Sequence, residues 1–136
     1  MTTHTTNYFN TFIEVAEDCP LSEAEIPPLK GNDKTVANLQ YEMLISHPYQ
    51  YTSDDVLFSI YASRNKLDAT QAERLRYFSK GQACFRSSPL CKRYGWGIHC
   101  NEDGKMALFA METPEYQQLA EDKHLKHVKA LRTKKR

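Results

Sequence analysis

The chain has 136 residues, 40% hydrophobic and 26% charged, with a formal net charge of +1. That length and balance predict a single soluble globular domain that buries its core without disulfides or a structural metal. No apolar stretch approaches the ~20 residues that span a bilayer, and the first residues lack the basic and apolar regions of a secretion signal, so the expected setting is the cytoplasm with no membrane contact.

Charge is unevenly placed. Residues 123–136 hold seven of the 18 basic residues and no acid, behind a body in which the 17 acids predominate. Such a tail binds polyanions, screens the acidic body or extends into solvent. Cys19, Cys84, Cys91 and Cys100 include no C-x-x-C pair, so four free thiols in a reducing compartment are expected rather than a zinc ribbon or a redox pair.

In chain order, residues 1–6 are polar and read as a flexible N-terminus. Residues 7–122 read as the folded domain, and 123–136 as a basic tail that extends the last helix if its apolar spacing is helical. Tyr8 to Val15 has the aromatic and β-branched character of a first strand. Prolines 20, 27 and 28 with Gly31 then deny regular structure to a long connection. Thr35 and its neighbours offer caps to a helix carrying Val36, Leu39, Met43 and Leu44, ended by His47-Pro48. Residues 53–64 are ambiguous: Asp54 and Asp55 suit the first turn of a helix, whereas Val56, Phe58, Ile60 and Ala62 alternate as in a strand; helix is favoured.

A further helix is expected over Ala69 to Ser79, and a short strand over Gln82 to Arg86. Ser88, Pro89 and Gly95 punctuate one or two helical turns. Trp96 to Cys100 and Lys105 to Met111 flank Asn101-Glu102-Asp103-Gly104 as a β-hairpin. Thr113-Pro114-Glu115 opens the last helix, which continues through Leu125, Val128 and Leu131 if the tail is helical. The pattern predicts an α+β domain, a small and mainly antiparallel sheet with helices packed on one face.

Candidate chemistry gathers in Phe78 to Cys100. A helix N-terminus with free N–H groups at Ser87 and Ser88, beside Arg86, suits a phosphate or carboxylate. Lys92, Arg93, Tyr94, Trp96 and His99 complete the predicted ligand-binding set, and Gly95 and Gly97 leave room beside the indole. Each residue also has a plainer reading: Ser88 as a cap, the cations as partners for surplus acid, Trp96 as core and His99 as a half-buried polar residue.

Ser88 and Lys92, one turn apart, have the spacing of a nucleophile and base, and Cys91 beside two cations has that of an activated thiol with His99 or His47 as base. Cys84, Cys91, His99 and Cys100 offer zinc-type ligands, but His99 and Cys100 point to opposite faces of a strand. No metal or cofactor is expected. The eight tyrosines suit a pocket or a homodimer interface.

The runs KTVANLQYEMLISHPYQYTSDDVLF and FRSSPLCKRYGWGIHCNEDGKMALF resemble a family of small uncharacterised bacterial proteins, a domain of unknown function, over about residues 7–121. The resemblance implies a bacterial setting and supplies no catalytic residues. The preferred expectation is a binding module for a small anionic metabolite at Arg86 to Trp96. A small-molecule enzyme using the same segment comes second. Nucleic-acid binding through Lys126, Lys129, Arg132, Lys134, Lys135 and Arg136 comes third, disfavoured by the acidic body.

Overall fold

Four strands form one sheet in the order β3-β2-β1-β4: β1 (Thr11–Glu14), β2 (Trp96–Cys100), β3 (Met106–Ala110) and β4 (Lys126–Lys129). The computed structural model describes residues 3–133. β1 pairs antiparallel with β2 and β2 with β3, whereas β4 runs parallel to β1. Ile13, Ile98 and Leu108 stand in register, with Val128 level with Ile13, and all four turn to one face. The main core lies there, where Ile13, Ile98, Cys100 and Met106 are fully buried.

Helices α1 (Val36–Ser46), α2 (Ser53–Arg64) and α4 (Pro89–Lys92) contribute Leu44, Val56, Ile60, Leu90 and Cys91 to that core. α1 and α2 begin with capping boxes, Thr35 with Asn38 and Thr52 with Asp55, which satisfy N–H groups that a helix start leaves open. The strand-like alternation in 53–64 has a helical explanation. Val56 and Ile60 enter the main core, while Phe58 and Ala62, about 200° and about 240° round the helix from Val56, pack with Phe78 and Tyr77 in a second cluster. α2 lies between two apolar layers and so carries two apolar stripes.

α3 (Gln71–Tyr77) is shorter than the segment expected from the sequence. α5 (Pro114–Glu121) crosses the other face of the sheet, where its Tyr116 ring meets Phe12 edge-on at 5.0 Å. Gly97 makes that approach possible: a Cβ there would sit 2.6 Å from Tyr116 and 2.8 Å from Phe12. In the hairpin loop, the Asn101 Oδ1 accepts from the N–H groups of Asp103 and Lys105, and Gly104 takes φ +79°.

The α+β class holds, and three finer expectations are corrected. The helices do not all pack on one face of the sheet, because α5 lies on the face opposite α1, α2 and α4. Residues 82–86 make no strand; the chain instead forms a single 3₁₀ turn over Phe85–Ser87 that buries Phe85. Both sides of β1 are already occupied, by β2 and β4, so this segment has no place beside it. The tail is not a helical extension either. α5 stops at Glu121, and Lys126–Lys129 is a strand because β1 offers an open ladder: Lys126 N–H donates to Asn10 C=O at 2.8 Å and Ala130 N–H to Glu14 C=O at 2.9 Å. At the other terminus, Thr5 and Thr6 are tied to α2. The Asp54 carboxylate accepts from the Thr5 hydroxyl at 2.7 Å and from the Thr6 N–H and hydroxyl at 2.8 and 2.7 Å.

Candidate functional site

The fold employs much of the segment 86–99 in its own support. Ser88 is buried; its hydroxyl accepts from Leu90 N–H and donates to Gln40 Oε1 at 2.6 Å. Arg86 Nε donates to the Lys129 carbonyl at 2.7 Å while the Arg86 carbonyl accepts from Leu131 N–H at 2.8 Å, a clasp on β4. Ser87 is half-buried in the 3₁₀ turn, its N–H donating to Cys84 C=O. Trp96 Nε1 donates to Glu25 C=O at 2.8 Å and its ring packs on Tyr41, so the indole fastens the long loop between β1 and α1. The Tyr94 carbonyl holds the same loop through Glu25 N–H. Lys92 and Arg93 make no side-chain hydrogen bond or ion pair among the described residues. Trp96 turns to the core face of β2 and His99 to the opposite face, so these two do not meet.

The nucleophile readings find little support. The Ser88 hydroxyl is committed to Gln40, and burial pushes the Cys91 thiol far above its usual range, with neighbouring thiols adding to the shift. Burial likewise pushes Cys100 up to about 12. Among the described residues no three His, Cys, Asp or Glu side chains form a metal cluster. Asp54 and Asp55 occupy the first turn of α2 as expected. Burial opposes ionisation of Asp55, yet hydrogen bonds from Thr52 and the Arg74 guanidinium at 2.9 Å hold its carboxyl below the usual range.

Part of the tail's charge is answered inside the molecule. Glu17 pairs with Arg132 and, at 3.4 Å, with Lys129, and these cations keep its carboxyl below the usual range. Lys126 is exposed and has no ion-pair partner among the described residues. Lys134, Lys135 and Arg136 lie outside the described residues.

His99 has a partner that its sequence neighbours do not suggest. Its Nδ1 shares a 2.7 Å hydrogen bond with the Tyr49 hydroxyl. Tyr49 has φ +59°, a left-handed conformation uncommon for a bulky residue, and its N–H donates to Met106 C=O. Burial lowers the His99 pKa and raises that of Tyr49, so both groups are neutral near pH 7.

An apolar cavity of 230 Å³ opens between the start of α1, the outer side of α2 and α3. Val36, Leu57 and Ile60 form its apolar wall, and Tyr61 and Tyr77 pack with ring centroids 4.5 Å apart. Arg64 and Asn65, at the end of α2, line the same cavity. Arg64 makes no ion pair or side-chain hydrogen bond among the described residues, unlike Arg74 and Arg76, which pair with Asp55 and Glu73. A second, more polar cavity of 400 Å³ shares the tyrosine pair and is also lined by Lys80 and Gln82. Burial raises the Tyr77 pKa, with Tyr61 and Asp54 contributing, so the phenol stays protonated as a hydrogen-bond donor.

A family model described as a family of unknown function, DUF6157, matches residues 3–136. The chain belongs to DUF6157. No curated protein and no solved structure matches it. The match includes the tail as well as the body, in keeping with β4 being part of the sheet.

Sequence reasoning missed two arrangements in this DUF6157 chain. The cavity is assembled from three helices, so no local spacing reports it; its only trace is Tyr61, Arg64 and Asn65 crowded at the end of α2. Tyr49 lies in His47-Pro48-Tyr49-Gln50-Tyr51, a helix stop whose partner is 50 residues away.

Proposed function

We propose that this protein is a small-molecule binding domain, and that its ligand is an anion with a flat apolar body seated in the cavity between α1, α2 and α3. One observation carries the reading: a guanidinium without a partner among the described residues lines an apolar cavity that also holds a packed pair of tyrosines. Arginine presents a planar fork to carboxylate or phosphate, and tyrosines present flat faces with a polar tip. The volume lies just below the ~300–1,000 Å³ usual for small-molecule sites, which favours a compact aromatic acid or aryl phosphate over a nucleotide. The chemical class is the one expected for residues 86–96. The location differs because Arg86, Ser88 and Trp96 already have intramolecular partners. A cytoplasmic setting accords with four cysteines that are all free thiols.

The test is a calorimetric or NMR titration with benzoate, naphthoate and phenyl phosphate, run on the native chain and on Arg64→Ala and Arg86→Ala. The expected result is binding that Arg64→Ala weakens roughly tenfold, about 1.5 kcal/mol, and that Arg86→Ala leaves alone. Loss in Arg86→Ala with Arg64→Ala unaffected would return the site to residues 86–96.

A further inference from the structure

The two outer strands of the sheet are defended differently. β4 is Lys-His-Val-Lys, mostly exposed, and an exposed row of lysines is a common means by which a sheet edge avoids pairing with another chain. β3 is Met-Ala-Leu-Phe-Ala, with no charge and no proline.

Alternation along β3 turns the peptide groups of Ala107 and Phe109 towards β2 and those of Met106, Leu108 and Ala110 outward. Met106 is covered, since its N–H donates to Tyr51 C=O and its carbonyl accepts from Tyr49 N–H. The Ala110 carbonyl accepts from the Thr113 N–H and hydroxyl. The N–H and C=O of Leu108 and the N–H of Ala110 have no such partner among the described residues.

We propose that β3 is a self-association edge, at which two copies of this chain pair antiparallel about a two-fold axis at Phe109 and join their sheets into one of eight strands. In that register the Ala110 N–H of each copy meets the partner copy's Leu108 carbonyl. Leu108 N–H meets the partner copy's Ala110 carbonyl, which exchanges the Thr113 hydroxyl for this donor and keeps the Thr113 N–H. The two Phe109 rings become a directly opposed pair, which in an antiparallel ladder brings the side chains close.

The Tyr49 to Tyr51 segment that covers Met106 lies opposite residue 112 of the other copy, past the end of β3, where that chain turns into α5. The occupant is argued to be this same strand for two reasons. An uncharged strand meets no like charge when paired with itself, and it has no charge pattern with which to select a foreign one. Two-fold pairing also closes after two copies, whereas an unprotected edge otherwise leads to open-ended growth.

The test combines sedimentation velocity over a concentration series with amide hydrogen exchange at the same concentrations, on the full chain and on Ala110→Pro. Proline at that position deletes only an outward donor, the placement that an edge strand tolerates. The expected result is a mass rising from 15.7 kDa towards twice that value. Exchange at Leu108 and Ala110 should slow in parallel by tenfold or more, and Ala110→Pro should remain monomeric with an unchanged circular dichroism spectrum. A monomer at every concentration overturns the inference. So does a dimer whose Leu108 and Ala110 amides exchange as fast as in the dilute protein, or one that persists in a folded Ala110→Pro. Should that variant not fold, the exchange measurement on the native chain decides alone.

Discussion

Residues 86–99 and the end of α2 both bring cations, aromatic rings and small polar groups together, yet the fold treats them in opposite ways. Along 86–99 the arginine clasps β4, the serine caps a helix against Gln40, and the tryptophan fastens a loop. At the end of α2 the arginine lines an apolar cavity and has no partner among the described residues. Residue type and spacing look alike in the two places. What separates a structural residue from an available one is whether its hydrogen-bonding capacity is already used, and that depends on contacts remote in sequence.

Substitutions sharpen the contrast in order of their effect on stability. Ser88→Ala should cost about 2 kcal/mol in chemical denaturation, because it removes a helix cap and strands the buried Gln40 acceptor. Arg86→Ala should cost about 1 kcal/mol by releasing the Lys129 carbonyl, with hydrogen exchange quickening in β4. Arg64→Ala should change stability by less than about 0.5 kcal/mol while impairing ligand binding. A large destabilisation by Arg64→Ala, or none by Ser88→Ala, would dissolve the distinction.

His99 adds a pH test of how buried the opposite face of the sheet is. Its folded-state pKa lies below its ordinary value of 6.5, so below pH 6.5 the unfolded chain takes up the proton more readily than the folded one. Stability should therefore fall as pH drops from 6.5 towards the folded-state pKa, and the loss should level off below it. Thermal melts between pH 7.5 and 5 should show this component of the slope, and His99→Gln should lack it. Equal slopes in the two proteins would mean that the imidazole is solvated.

Local signals in the sequence were reliable. The caps at Thr35, Thr52, Ser88 and Thr113 and the Asn101 to Gly104 turn lie where short-range chemistry puts them. What was not legible depended on the sheet as a whole. Residues 82–86 have the composition of a strand but find both sides of β1 taken by β2 and β4, and Leu125, Val128 and Leu131 have helical spacing although Val128 enters the core from a strand. In α2 the acids at Asp54 and Asp55 favour the helix that forms, whereas the strand-like alternation comes from apolar layers on both its sides. For the site, His99 could be nominated from its type, whereas Tyr49 and Arg64 could not, because the imidazole that meets Tyr49 and the helices that complete the cavity beside Arg64 lie elsewhere in the chain.

The position of β1 has a consequence for how the chain is made. The first strand of this sheet in chain order lies inside it, and its neighbours are β2, more than eighty residues later, and β4, near the end of the described chain. During translation Phe12 and Ile13 therefore emerge long before any strand is available to cover them. The helices α1 to α3 are completed in that interval, and the sheet that fixes their positions closes last.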